Sequence, residues 1–369
     1  MILIEKNIEN FIPLIPLTSY FPDAENHLFL DIETTGFSAK FSTVYLIGCG
    51  YYKDNILYYK QWFAETPEEE STILNDFFGF LTSFTTLIHF NGLQFDLPFI
   101  ELRCKLLELS HDFSRYSSID LWKTITPLKH VLKLPNCKQK TVEEFLQIHR
   151  DDTFDGGKLI PYYKEYVTSP SKTSLELLLL HNKDDVLGMV QLLPILAYSN
   201  LFEHSPSIIK VVTNDYTNYN GDQKKEVIFT LQLSLPLPNA ISYHCNDCYL
   251  SGKHDVLSLK IPCFNGQLKY FYENYKEYYY LTEEDMAIHQ SVASFVDKSR
   301  KKKATAATCY NKKTGVFLPQ WKPQITPVFY KEFKKHPCYF EITENILAEN
   351  ALLSEYVFHI LKTLLHSKP

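Results

Sequence analysis

A chain of 369 residues with a formal net charge of −6 is long enough for two domains, and it is too acidic to coat a nucleic acid through overall charge. With 45% hydrophobic and 15% aromatic residues it can bury a sizeable core, which excludes global disorder. Eight scattered cysteines form no dense framework and fit reduced thiols in a cytoplasmic protein. The stretch Met1 to Tyr20 carries Glu5 and Glu9 and lacks a basic opening, so it makes a poor signal peptide; no apolar run approaches the roughly 20 residues of a membrane span.

Residues 1–26 read as a lead-in with little regular pattern, broken by Pro13, Pro16 and Pro22. Leu28 to Leu30 and Ile32 then read as a buried strand interrupted by Asp31 and Glu33, before Thr34-Thr35-Gly36 turns the chain away. Strand side chains alternate, so the two acids share a face. Carboxylates that close repel each other, and a hard divalent cation such as Mg²⁺ or Mn²⁺ is the simplest relief. Val44 to Tyr52 and Ile56 to Phe63 continue as an antiparallel meander. Pro67-Glu68-Glu69-Glu70 opens a helix to about Leu81, with acids where the helix dipole favours them. Leu87 to Phe90 is a short strand closed by Asn91-Gly92. The spacing predicts a helix from Phe95 to Leu109 with Phe95, Phe99, Leu102 and Leu106 on its buried stripe, which sets Asp96 near a helix N-terminus just after a strand end. Ser118 to Leu121 reads as a fifth strand, followed by helices at about 121–133, 141–148, 160–167 and 173–198. This order predicts an α/β domain over 27–202, a mixed sheet flanked by helices.

On the last of those helices His181 and Asp185 stand four residues apart and share one face. An acid there could complete a metal site, and an imidazole beside it could take a proton from water. Asp184 is the competing acid, and Asp185 is preferred because it shares the face of His181.

Residues 203–369 read as a second, β-rich α+β domain. Strands are expected at 208–212, 226–235, 240–250, 256–261 and 267–281, and helices near 283–295 and 343–365. Residues 298–335 hold eleven basic side chains, with Arg300, Lys301, Lys302 and Lys303 in one run and Glu332 as the only acid; Tyr310, Phe317, Trp321, Phe329 and Tyr330 are interleaved. Cations bind phosphates and rings stack on unpaired bases, so this stretch is a candidate nucleic-acid surface; a solvated basic face is the plainer reading. Cys245 and Cys248 form a single Cys-x-x-Cys. Zinc needs four ligands, and Cys263, His254 and Cys309 offer no second tight pair, so structural zinc is disfavoured.

Three stretches together resemble the DEDD superfamily of 3′–5′ exonucleases, whose fold is ribonuclease H-like. Asp31-Ile32-Glu33-Thr34-Thr35-Gly36 matches the first family motif at every specified position, and Asn91-Gly92-Leu93-Gln94-Phe95-Asp96 matches the second. His181 to Asp185 resembles the third with a departure: the histidine occupies the spacing at which that family places tyrosine. Asp120-Leu121, together with His181-Asn182-x-x-Asp185-Val186, looks most like the YprB-type ribonuclease H-like branch. The resemblance implies phosphodiester hydrolysis with two ions, Mg²⁺ or Mn²⁺, held by Asp31, Glu33, Asp96 and Asp185. It further implies that His181 orients or deprotonates the attacking water, that Thr34 and Asn91 help to position the strand end, and that Asp120 is a structural acid. The implied partner is nucleic acid, single-stranded or with a free 3′ end, and no membrane. An endonuclease with the same site and a catalytically silent nucleic-acid-binding module are the alternatives.

Overall fold

The computed structural model describes residues 1–9, 11, 17–149 and 156–367; the expected breakers Pro13 and Pro16 lie outside them. The chain divides into two compact units, Met1–Ser199 and Asn200–Pro369.

The first unit is built on six strands: β1 (Ile2–Asn7), β2 (His27–Thr34), β3 (Val44–Lys53), β4 (Ile56–Phe63), β5 (Thr86–His89) and β6 (Ser117–Asp120). Their order across the sheet is β1-β4-β3-β2-β5-β6. Pairing is antiparallel from β1 to β2 and parallel from β2 to β6, the mixed sheet that the element order predicts. Strand β1 corrects the reading of residues 1–26 as a lead-in without regular pattern, since Ile2 to Asn7 pair with Phe63 to Tyr58. An edge strand keeps charge toward water and so carries a weak apolar signal. Here Glu5 is exposed, and its Oε2 accepts from Lys60 Nζ at 2.7 Å.

Among the described residues the helices that follow are α1 (Glu70–Leu81), α2 (Asp96–Leu106), α3 (Leu121–Ile125), α4 (Gln139–Phe145), α5 (Ile160–Thr168), α6 (Lys172–Leu192) and α7 (Leu196–Glu203). One face of β2, carrying Leu28, Leu30 and Ile32, packs with Ile73 and Phe77 of α1 and Phe99 and Ile100 of α2. Helix α2 buries a different row from the expected one. Leu102 and Leu106 are exposed, while Leu97, Phe99, Ile100 and Cys104 are buried. The cause is a polar anchor. Arg103 donates to both oxygens of the buried Glu70 at 2.8 and 2.6 Å and to Ala39 O at 3.0 Å, and this bidentate pair fixes the helix rotation.

Helix α6 covers the opposite face of the sheet. Ser171 starts it, accepting the Ser174 N–H at 3.1 Å. It lies on β3 where that strand has glycines: a Cβ on Gly50 would stand 2.9 Å from Val186, and one on Gly48 would stand 2.0 Å from Asn182 Oδ1. The helical stretch Lys172–Glu203 is long and apolar enough, by length and composition, to cross a bilayer, which the apolar-run reading did not anticipate; 72% of its most apolar window is buried inside the protein, as befits a core helix.

The second unit holds β7 (Ser207–Thr217), β8 (Gln223–Cys245), β9 (Cys248–Pro262), β10 (Phe264–Phe271), β11 (Tyr278–Leu281), β12 (Met286–His289), α8 (Gln290–Ala293), β13 (Lys301–Lys303), β14 (Tyr310–Gln320), β15 (Cys338–Glu341), α9 (Glu344–Ala348) and α10 (Asn350–His366). They form three three-stranded sheets, β7-β8-β9, β10-β14-β15 and β12-β11-β13. The helix expected over 283–295 is a hairpin, in which Tyr278 faces His289 and Leu281 faces Met286, followed by the four-residue α8. Aromatic side chains favour the pleated surface. Asp285 takes a positive φ of 52° at the turn, where it accepts from Tyr280 at 2.5 Å and from Tyr310 and Lys312.

Candidate active site

The parallel ladder between β2 and β5 reaches only to Phe29 opposite Ile88. Beyond it the β2 backbone has lost its partner on that side, and Asp96 fills the gap: its Oδ1 accepts the Ile32 N–H at 3.3 Å. A residue at the start of α2 is thereby pinned between Asp31 and Glu33. From the other side α6 brings His181 and Asp185. His181 Nε2 lies 3.2 Å from Asp185 Oδ2 and 3.5 Å from Glu33 Oε1. The structure therefore gathers Asp31, Glu33, Asp96, His181 and Asp185 from three elements around one cleft of about 360 Å³.

The electrostatics of this cleft are strained. Burial, together with Asp185, Glu33 and Asp96, pushes the Asp31 carboxyl well above the usual carboxylate range, against the opposing effect of a hydrogen bond from Asn182. Burial pushes Asp96 up to about 7, with Asp120 and Asp185 adding to the rise. Acids so placed hold their negative charge poorly without a cation. Glu33, His181 and Asp185 each turn a ligand atom into a space where all three atoms lie within 4.8 Å of one another. Carboxylate oxygens suit hard divalent cations, so Asp31, Glu33, Asp96 and Asp185, which all line this cleft, fit the implied metals.

Thr34 and Asn91 also line the cleft. The Thr34 hydroxyl donates to Gly36 O at 2.8 Å, within the turn. Asn91 has a positive φ of 63°, and its Oδ1 is buried with no hydrogen-bond partner. Asp120 shapes the loop that carries Asn91, accepting N–H groups from Asn91 at 2.9 Å, Leu93 at 3.2 Å and Lys123 at 3.3 Å.

Sequence reasoning missed two groups here. The first comprises Lys138, Gln139 and Lys140, which line the cleft at the start of α4. Gln139 Nε2 donates to Asp185 O at 2.9 Å and so fastens α4 to α6; a two-residue basic flank gives no signal of that contact. The second is a Ser118-His89-Asp120 row, with His89 Nε2 2.5 Å from Ser118 Oγ and Nδ1 3.6 Å from Asp120 Oδ2. It resembles a nucleophilic triad but runs the wrong way. The Gly92 N–H donates to His89 Nδ1 at 3.1 Å, so the ring proton sits on Nε2 and points at the serine.

The basic run lies in the second unit and is largely engaged there. Arg300 pairs with Glu283 and Glu284 at 2.7 and 2.8 Å. Lys301 donates to Ala293 O, Lys303 sits over the Tyr279 ring at 4.3 Å, and Lys302 is exposed. Lys312 pairs with Asp285, and Lys313 with Glu341 at 2.6 Å. All four acids fall outside the 298–335 window: Glu283, Glu284 and Asp285 sit in the turn between β11 and β12, and Glu341 ends β15. Cys245 and Cys248 face each other across the Asn246-Asp247 turn, and the close group of metal-type ligands found among the described residues contains no cysteine.

A mixed sheet flanked by helices, with acids gathered at the end of its central strand, defines a ribonuclease H-like fold. Residues 28–197 match the family model described as RNase_H superfamily. No curated protein matches the chain in sequence. Among solved structures, the family B DNA polymerase of the hyperthermophilic archaeon Pyrobaculum calidifontis is similar at 17% identity over 47% of this chain and 25% of the polymerase, with a TM-score of 0.37. E. coli exonuclease I, solved in a zinc-bound form with single-stranded DNA, is similar at 11% identity over 57% of this chain and 55% of its own, with a TM-score of 0.31. A further structure of exonuclease I gives 12%, 56%, 55% and 0.32 in the same terms. The chain spans a quarter of the polymerase and about half of exonuclease I.

Proposed function

We propose that this protein is a metal-dependent nuclease that removes nucleotides from the 3′ end of a nucleic-acid strand, with two Mg²⁺ or Mn²⁺ ions held by Asp31, Glu33, Asp96 and Asp185. The observation that carries the reading is the convergence of these four carboxylates, from β2, α2 and α6, on one cleft. Bound there, the cations supply Lewis acidity to the phosphoryl group and to the attacking water. The remaining roles fall to this chain's own side chains. His181, the imidazole that lines the cleft, takes the proton from the attacking water. Thr34 and Asn91 bound the wall against which the strand end rests. Lys302, exposed like Arg300 and Lys303, offers a contact for phosphate.

The test is cleavage of a single strand labelled at its 5′ end, with Mn²⁺ and with chelator. The expected result is a metal-dependent ladder that shortens one nucleotide at a time and is abolished in folded Asp31→Ala and Asp96→Ala variants. Early products of mixed internal length would point instead to an endonuclease, and binding without turnover to a silent binding module. Full activity in either variant would overturn the assignment of these acids.

A further inference from the structure

Asn182 is completely buried between α6 and the sheet, with a polar atom committed in each direction. Its Nδ2 donates to Asp31 Oδ2 at 2.8 Å and lies 3.4 Å from Asp31 O. Its Oδ1 accepts from Gln61 Nε2 at 2.8 Å, and the same Gln61 nitrogen donates to Leu179 O at 2.9 Å. The direction of this row is set at its far end. Leu179 O is a carbonyl and can only accept, so the Gln61 atom facing it is the amide nitrogen. That nitrogen spends its other hydrogen on Asn182, which must present oxygen toward Gln61 and nitrogen toward Asp31. Space for the row comes from Gly48, the β3 residue paired with Asp31, since any Cβ there would collide with the Asn182 amide.

We propose that Asn182 is a positioning residue for Asp31: backed by Gln61 and seated over Gly48, it holds the Asp31 carboxylate in the orientation in which that carboxylate takes a divalent cation. This inference rests on the reading of Asp31 as a cation ligand. One Asp31 oxygen is held by the amide, which leaves the other to face the cleft. Asp31 sits among Asp185, Glu33 and Asp96, whose repulsion would turn a free carboxylate away from them. The Asn182 donor opposes that rotation before any cation arrives, as outer partners of metal ligands commonly do.

The experiment is calorimetric titration of the full chain with Mn²⁺ for wild type, Asn182→Ala and Gln61→Met, with thermal melting of each in the absence of metal. Asn182→Ala is expected to weaken Mn²⁺ binding about 10- to 100-fold, the usual cost of losing such a partner. Gln61→Met, which frees the amide to flip, should weaken it in the same direction by a smaller factor. Turnover by Asn182→Ala should recover toward wild type at saturating Mn²⁺, because Asp31 itself is still present. A purely structural role would lower the melting temperature and leave the affinity of the folded protein unchanged. If Asn182→Ala fails to fold, Gln61→Met decides. Affinity within twofold of wild type in every variant that folds overturns the inference alone, whereas a wild-type chain that binds no Mn²⁺ overturns the proposed function and this inference with it.

Discussion

Asp120 Oδ1 accepts the Asn91 backbone N–H at 2.9 Å, so an acid at the end of β6 shapes the loop that leaves β5. Asp120 is buried, and its second oxygen takes the Leu93 N–H. Asp120→Ala would leave these N–H groups without their acceptor, at a cost of about 3 kcal/mol of stability. Because the same loop leads into Asp96, turnover should fall along with stability. Chemical denaturation and single-turnover cleavage check both; an unchanged unfolding midpoint would show that the loop holds itself.

Asp96 sets a pH dependence for the metal-free protein. Its folded pKa of about 7 lies above the ordinary value of 3.8, so between these pH values the folded state binds more protons than the unfolded one. The stabilising contribution is therefore complete below about pH 4 and is lost as pH rises through about 7. In chelator, the melting temperature should fall across this window, and Asp96→Asn should flatten that fall. Mn²⁺ should restore stability at neutral pH in wild type and do so less in the variant.

His181→Ala is expected to lower the cleavage rate by about 10²- to 10⁴-fold, the usual range for loss of a general base. The two proteins should also differ in how turnover depends on pH, since only wild type has an imidazole in the cleft. Single-turnover rates across pH for both proteins supply the check. Identical pH profiles would remove His181 from the chemistry.

For the basic run, the pairing of Arg300 with two glutamates limits what its removal can do. Replacing Arg300, Lys301, Lys302 and Lys303 with serine should weaken binding of a single strand and reduce its logarithmic salt slope by about 1 to 1.5, as expected for two phosphate contacts at roughly 0.7 each. Lys302→Ser alone should account for about half of this. Fluorescence anisotropy at several salt concentrations measures the slope; no change would mark the run as a solvated face.

Sequence carried the first unit well where a single local signal sufficed. The alternation of β2 placed Asp31 and Glu33 on one face, and the four-residue interval placed His181 with Asp185. It failed where the deciding contact is remote. The rotation of α2 depends on Glu70, thirty-three residues before Arg103. The acids that engage the basic run come from the β11–β12 turn and from β15, so counting charges within one window overstated the free cations. Asn182 stood inside a recognised motif without an evident task, because its partners Gln61 and Gly48 sit on strands more than a hundred residues earlier.

The two glycines of β3 have a consequence for register. Gly48 receives Asn182 and Gly50 receives Val186, residues one helical turn apart on α6. The pair of missing side chains works as a keyway: the helix seats in one rotation and at one height, since a shift of a single residue would turn it by 100° and drive larger side chains into the strand. His181 and Asp185 inherit their positions from that seating. Drift in the geometry of this cleft is thus governed by a strand that contributes no acid: a methyl group added to Gly50 would move the helix-borne half of the site, and one added to Gly48 would also displace the Asn182 amide that holds Asp31.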